Sequence, residues 1–139
     1  MDTDVLNNKL ESLGRCVHRI ESKMPSKIDE LEKDIDMQDI LVLNLERAVQ
    51  VCVDIANHLL LDYNEATPQS MSDGFRALSK HNVIPPELAE NLAHAVGFRN
   101  IAVHQYQSID WNIVFSIVTK NLEDFRKFAG YISNVGFGK

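Results

Sequence analysis

Apolar residues recur at helical spacing along nearly the whole chain, and no stretch alternates as a strand would. Leu6, Leu10, Leu13, Val17, Ile20 and Met24 step 4-3-4-3-4, which predicts a helix from Thr3 to about Met24. Thr3 or Asp2 is placed to cap it, and Pro25 to end it. Ser26 reads as the N-cap of a short helical turn with Asp29 and Glu30 in its first turn. The longest helix is predicted from about Asp36 to Leu61, with Asp36 and Asp39 at its N-terminus. From Leu41 to Leu60 it is apolar over most of its circumference. A helix of that kind is the central post of a bundle or is shared with a second subunit. Arg47, Asp54 and His58 interrupt it; Asp54 and His58 are four apart and are expected to hydrogen-bond locally.

Asp62 to Gln69 reads as the main loop, through Asn64, Thr67 and Pro68. Ser70 opens a short helix carrying Phe75 and Leu78, and Asn82 to Pro85 make a turn. Pro86 suits the first position of the next helix, where a missing N–H costs nothing. Ser108 to Asp110 break the pattern. A last helix is predicted from Trp111 to about Ser133, with Val114, Val118, Leu122, Phe125 and Phe128 inward; residues 136–139 read as a loose tail. The pattern predicts one all-α domain over residues 1–139, an up-down bundle of five or six helices. Fold alone gives no function.

Composition narrows this only modestly. A chain of 139 residues can bury a core without disulfide or metal help. No run of 18 apolar residues is present, and Met1-Asp-Thr-Asp does not resemble a signal peptide, so a soluble cytoplasmic protein is expected. Cys16 and Cys52 lie among apolar neighbours and read as reduced core thiols. There is no C-x-x-C or H-x-x-x-H, so neither a metal nor another cofactor is expected. The net charge of −6 argues against a surface that coats nucleic acid. The acid is concentrated in residues 1–40, with ten acids against six bases, whereas residues 80–106 carry two of each and three of the five histidines. Lys9, Arg15, Arg19 and Lys23 on the first helix form either a solvated face or a basic edge for RNA.

Arg99-Asn100-Ile101-Ala102-Val103-His104-Gln105-Tyr106 gathers a permanent cation, an amide, an imidazole and a phenol within eight residues. Continued as a helix, the segment places Tyr106, Arg99, Val103, Asn100 and His104 on one arc of about 160°. Asn100 and His104, four apart, can touch. Arg99 and His104 are too far apart for a mutual hydrogen bond but close enough to share a ligand. Leu88, Leu92, Ala95, Arg99, Ala102 and Tyr106 follow the spacing of a buried stripe, so an arginine stands where a core residue belongs. The small Ala93 and Gly97 lie on the line leading to His104 and suggest close approach of a ligand or another chain. The structural alternatives are an arginine paired to a carboxylate, a histidine satisfied by a carbonyl, and a tyrosine that only packs on the stripe and hydrogen-bonds a neighbour.

Gly97-Phe98-Arg99-Asn100 followed by Val103-His104-Gln105-Tyr106 resembles the R-x4-H-x-Y signature of the HepT ribonuclease toxins of the HEPN superfamily. The segment Asp39 to His58 and the all-helical layout are similar as well, so the likeness spans most of the chain. The resemblance implies a toxin that cuts RNA without a metal, with Arg99 and His104 catalytic and Asn100 supporting. It implies a homodimer whose groove holds both motifs. It also implies a partner antitoxin, the MntA-like nucleotidyltransferase, which silences the toxin by attaching adenosine monophosphate to Tyr106. The residue types suit that chemistry. RNA carries its own nucleophile, the 2′-OH; histidine as a residue type moves protons near neutrality, and arginine binds phosphate oxygens in a fork. A non-catalytic, nucleotide- or substrate-binding partner of a nucleotidyltransferase is the alternative, and a plain helical dimerisation protein is a third.

Overall fold

The computed structural model describes residues 2–137. Seven α-helical segments, α1 (Thr3–Glu21), α2 (Ile28–Lys33), α3 (Ile35–Leu61), α4 (Met71–Lys80), α5 (Pro86–His104), α6 (Trp111–Ser116) and α7 (Leu122–Phe137), form the expected all-α bundle. A π-helical turn, Ile117–Asn121, joins α6 to α7, so the two act as one last helix interrupted by a wide turn.

The central post is α3, which touches α1, α2, α4, α5 and α7. Its buried face includes Leu41, Leu45, Ala48, Cys52, Ile55 and Leu59, and the buried Asn44 turns its amide back to the Ile40 carbonyl at 2.8 Å. The helix α1 lies antiparallel to α3: Lys9 near its start pairs with Asp54 at 3.2 Å, while Arg19 near its end shares a groove with Ile40. The helices α4 and α5 form a second antiparallel pair, stapled by Arg76 to Glu90 at 2.9 Å. The last helix closes the bundle over both pairs. Phe128 meets Phe75 of α4 edge-on at 5.8 Å, and Arg126 forms an ion pair with Glu21 of α1. Phe75, Phe125 and Phe128 are the largest wholly buried side chains.

The caps explain most boundaries and correct several expectations. Asp2 caps α1, as one of the two candidates; the helix stops at Glu21 rather than Met24, which is half-exposed. Ser26 does not cap α2. Lys27 takes the cap position, and the Ser26 hydroxyl donates instead to the Glu30 carboxylate. Asp34 caps α3 by accepting from the Met37 amide at 3.0 Å. Ser70 and Asp110 cap α4 and α6, and Pro86 opens α5, as the sequence suggests. Asn82 takes the left-handed conformation, φ 60°, that lets the chain turn between α4 and α5. Asp54 and His58 do not bond each other: Asp54 is taken by Lys9 and by Gln50, and His58 is exposed. Both cysteines are buried free thiols. The helix α7 continues through Phe137, so the first two residues of the expected loose tail are helical and the last two lie outside the described residues.

Candidate functional site

The site is built on the C-terminal half of α5, where the helix emerges from the bundle. The face that α5 buries is Leu88, Ala89, Leu92, Ala93, Val96, Phe98 and Ala102. This shifts the predicted stripe: Ala95 and Arg99 lie at its half-buried margin, and Tyr106 is not on it. Arg99 therefore packs its stem against the core and keeps its charged end at the rim, as arginine does at an apolar edge. Its Nη1 lies 3.9 Å from Met71 Sδ of α4 and donates to Asn100 Oδ1 at 3.3 Å. Among the described residues no carboxylate lies within ion-pair distance of it.

Asn100 is engaged by Arg99, not by His104, so the expected contact four residues along is replaced by one to its neighbour. His104 is the last residue of α5 and is exposed. Among the described residues its ring has no hydrogen-bond or ion-pair partner, which leaves both nitrogens open to a ligand. Ala93 is buried, whereas Gly97 is exposed and a Cβ there would meet nothing within 4 Å. Nothing within this chain requires a glycine at 97; the surface leading to His104 is open.

Tyr106 departs furthest from the sequence expectation. The helix ends at Gln105, whose φ of −141° and ψ of 54° leave the helical region, and Tyr106–Ser108 form a 3₁₀ turn. The ring consequently leaves the line of Arg99 and leans toward α3. Its hydroxyl donates to Asp39 Oδ1 at 2.7 Å, and its edge meets Trp111 at a centroid distance of 6.3 Å. Burial, the Asp39 bond and the negative charges of Asp39 and Glu46 push the phenol up to about 12.

The α3 carboxylates Asp39 and Glu46 are the site residues that the sequence reading missed. They are seven apart and so share a face of α3. Burial raises Glu46, and the Arg99 charge opposes that rise. Glu46 is thus coupled by charge to both Arg99 and Tyr106. The signal available in the sequence was the pair of acids at heptad spacing on an otherwise apolar helix. The site thus joins one guanidinium, one free imidazole and one phenol from the α5 end to two carboxylates of α3. It can hold a phosphate, move a proton beside it, and present a nucleophilic hydroxyl. Among the described residues no three histidine, cysteine or acidic side chains converge as a metal site would require.

Comparison with known proteins identifies the family. Residues 13–132 match the sequence model of the family described as Ribonuclease HepT-like. The mRNA nuclease HepT of Shewanella oneidensis is 39% identical over 129 residues, covering 93% of this chain and 96% of that protein. The tRNA nuclease HepT of Aphanizomenon flos-aquae is 26% identical over 130 residues, covering 94% of this chain and 88% of that protein. The fold superposes with a TM-score of 0.87 on the tri-AMPylated Shewanella oneidensis HEPN toxin in complex with MNT antitoxin, at 39% identity over 95% of this chain and 98% of that one. With motif, fold and likeness in agreement over nearly its full length, the chain belongs to the HepT-like ribonucleases of the HEPN superfamily.

Proposed function

We propose that this protein is the ribonuclease toxin of a toxin–antitoxin pair, cutting RNA without a metal ion at Arg99 and His104. The observation that carries the reading is Arg99, half-buried at the rim with no carboxylate partner among the described residues, on the helix that ends at the open imidazole of His104. A cation held in place and left unneutralised suits a phosphate. The cut is a transesterification. The 2′-oxygen forms a bond to phosphorus, the bond to the 5′-oxygen breaks, and a 2′,3′-cyclic phosphate remains. Arg99 offsets the charge that gathers on the phosphate oxygens, and Asn100 steadies the guanidinium. His104 serves as one proton carrier. The second is His104 of a partner copy, brought across a two-fold groove. The relatives' nuclease activities support the reaction class, and the neighbours' complexes with an antitoxin support the regulation. In that reading a nucleotidyltransferase antitoxin adenylylates Tyr106, adding charge and bulk beside Arg99 that exclude RNA.

The test is RNA cleavage by purified protein in chelator, with the ends of the products identified. His104→Ala is expected to lose about 10²–10⁴-fold, the range for one acid-base group. Arg99→Ala is expected to lose activity as well. Cleavage that survives in both variants, or that chelator abolishes, overturns the assignment.

A further inference from the structure

We propose that Asp39 is the general base for adenylylation of Tyr106, taking the phenol's proton as the nucleotide is attached. The inference rests on the reading of Tyr106 as the adenylylated switch. Its own foundation is geometric. The Tyr106 hydroxyl donates to Asp39 Oδ1 at 2.7 Å, which is the reach a base needs to the proton it removes. Asp39 is exposed and, among the described residues, makes no other hydrogen bond and no ion pair. Its carboxylate is therefore engaged by the phenol alone among the described residues. Glu46 acts on the phenol only through its charge, and His104 makes no bond to it; Asp39 is the one acceptor among the described residues in contact with the reacting oxygen.

The rest of the surroundings make a base necessary. A phenol pushed up to about 12 by burial and two carboxylates is almost wholly protonated at neutral pH. Attack by a preformed phenolate is therefore slow, and removing the proton during the attack avoids that barrier. The 3₁₀ turn and the Trp111 edge fix the ring at one side, Asp39 fixes the oxygen at the tip, and the ring stays 40% exposed for an incoming nucleotide. An aspartate accepting a substrate hydroxyl's proton is the same device that protein kinases use on their acceptors. In the step, Tyr106 Oη forms a bond to the α-phosphorus of ATP. The bond from that phosphorus to the pyrophosphate oxygen breaks, and its electron pair leaves with pyrophosphate. The phenol proton passes to Asp39 Oδ1.

The experiment measures the initial rate of labelling by the cognate nucleotidyltransferase with ATP labelled at the α-phosphate, both saturating, on the full-length chain. Wild type, Asp39→Asn, Asp39→Glu, Asp39→Ala and Tyr106→Phe are compared. Asparagine still accepts the phenol's hydrogen bond through its amide oxygen but cannot take the proton, so it separates placement from base action. Asp39→Asn is expected to slow labelling by about 10²-fold or more, with Asp39→Glu recovering most of the rate and Tyr106→Phe unlabelled. Thermal melting checks the fold of each variant. Wild-type labelling in Asp39→Asn overturns the proposal, as does loss in Asp39→Ala alone, which marks mere positioning. An unlabelled wild type, or a labelled Tyr106→Phe, overturns the switch reading itself and this proposal with it.

Discussion

Burial, the Asp39 hydrogen bond and the charges of Asp39 and Glu46 together set the titration of Tyr106. The folded protein holds the phenolic proton more tightly than the unfolded chain does. The associated stability is complete below about pH 10, the ordinary tyrosine value, and is lost as pH rises through about 12. Phenolate absorbance at about pH 10.5, taken as wild type minus Tyr106→Phe, is expected to be near zero, and Asp39→Asn is expected to bring it up. Equal absorbance with and without the Asp39 carboxylate would contradict the assigned cause. Arg99, Asn100, His104 and Tyr106 stood out as candidate chemistry because four different functional groups within eight residues are rarely a core pattern. Asp39 and Glu46 were not. An acid near the start of a helix already has a local explanation in the helix dipole, and the bond that gives Asp39 another role spans 67 positions.

At the scale of elements, hydrophobic spacing located the long helices, since burial on one face is what the pattern records, and caps and first-turn acids located the short α2 and α4. The spacing failed where the backbone changes pitch without changing the pattern. Val114, Val118, Leu122, Phe125 and Phe128 keep three- and four-residue steps straight through the π-turn, so nothing betrays the extra residue. The turn lets α6 pack on α2 while α7 packs on α1 and α5. Because a π-turn holds one residue more than the α-helical turn it replaces, deleting exposed Thr119 should restore a regular helix and leave α7 in register. Deleting exposed Lys127 instead rotates all that follows by about 100°, which takes Phe128 and Ile132 out of the core. Thermal melting is expected to show a modest loss for the first deletion and failure to fold for the second. The reverse order would refute this account of the turn. The end of α5 was equally hidden: His104-Gln105-Tyr106 contains neither the glycine nor the proline that marks most helix ends.

For the whole molecule, the fold class was readable because nearly all helical faces find their partners within one chain. The exceptions are informative. Ile101 and Val103 remain exposed within the motif segment of α5, the surface the proposed dimer uses. If each groove draws Arg99 from one subunit and His104 from the other, mixing inactive Arg99→Ala and His104→Ala chains should regain some RNA cleavage. A monomer by light scattering at micromolar concentration would end the dimer reading. The link from Tyr106 to α3 also bears on how the protein is made. On the ribosome α3 emerges well before α5, and a chain stalled short of residue 104 has neither His104 nor the tyrosine. Tyr106 reaches Asp39 only once the end of α5 is seated on α3. Under the proposed function, the groove that would cut RNA and the tyrosine that would restrain it therefore arise from the same packing.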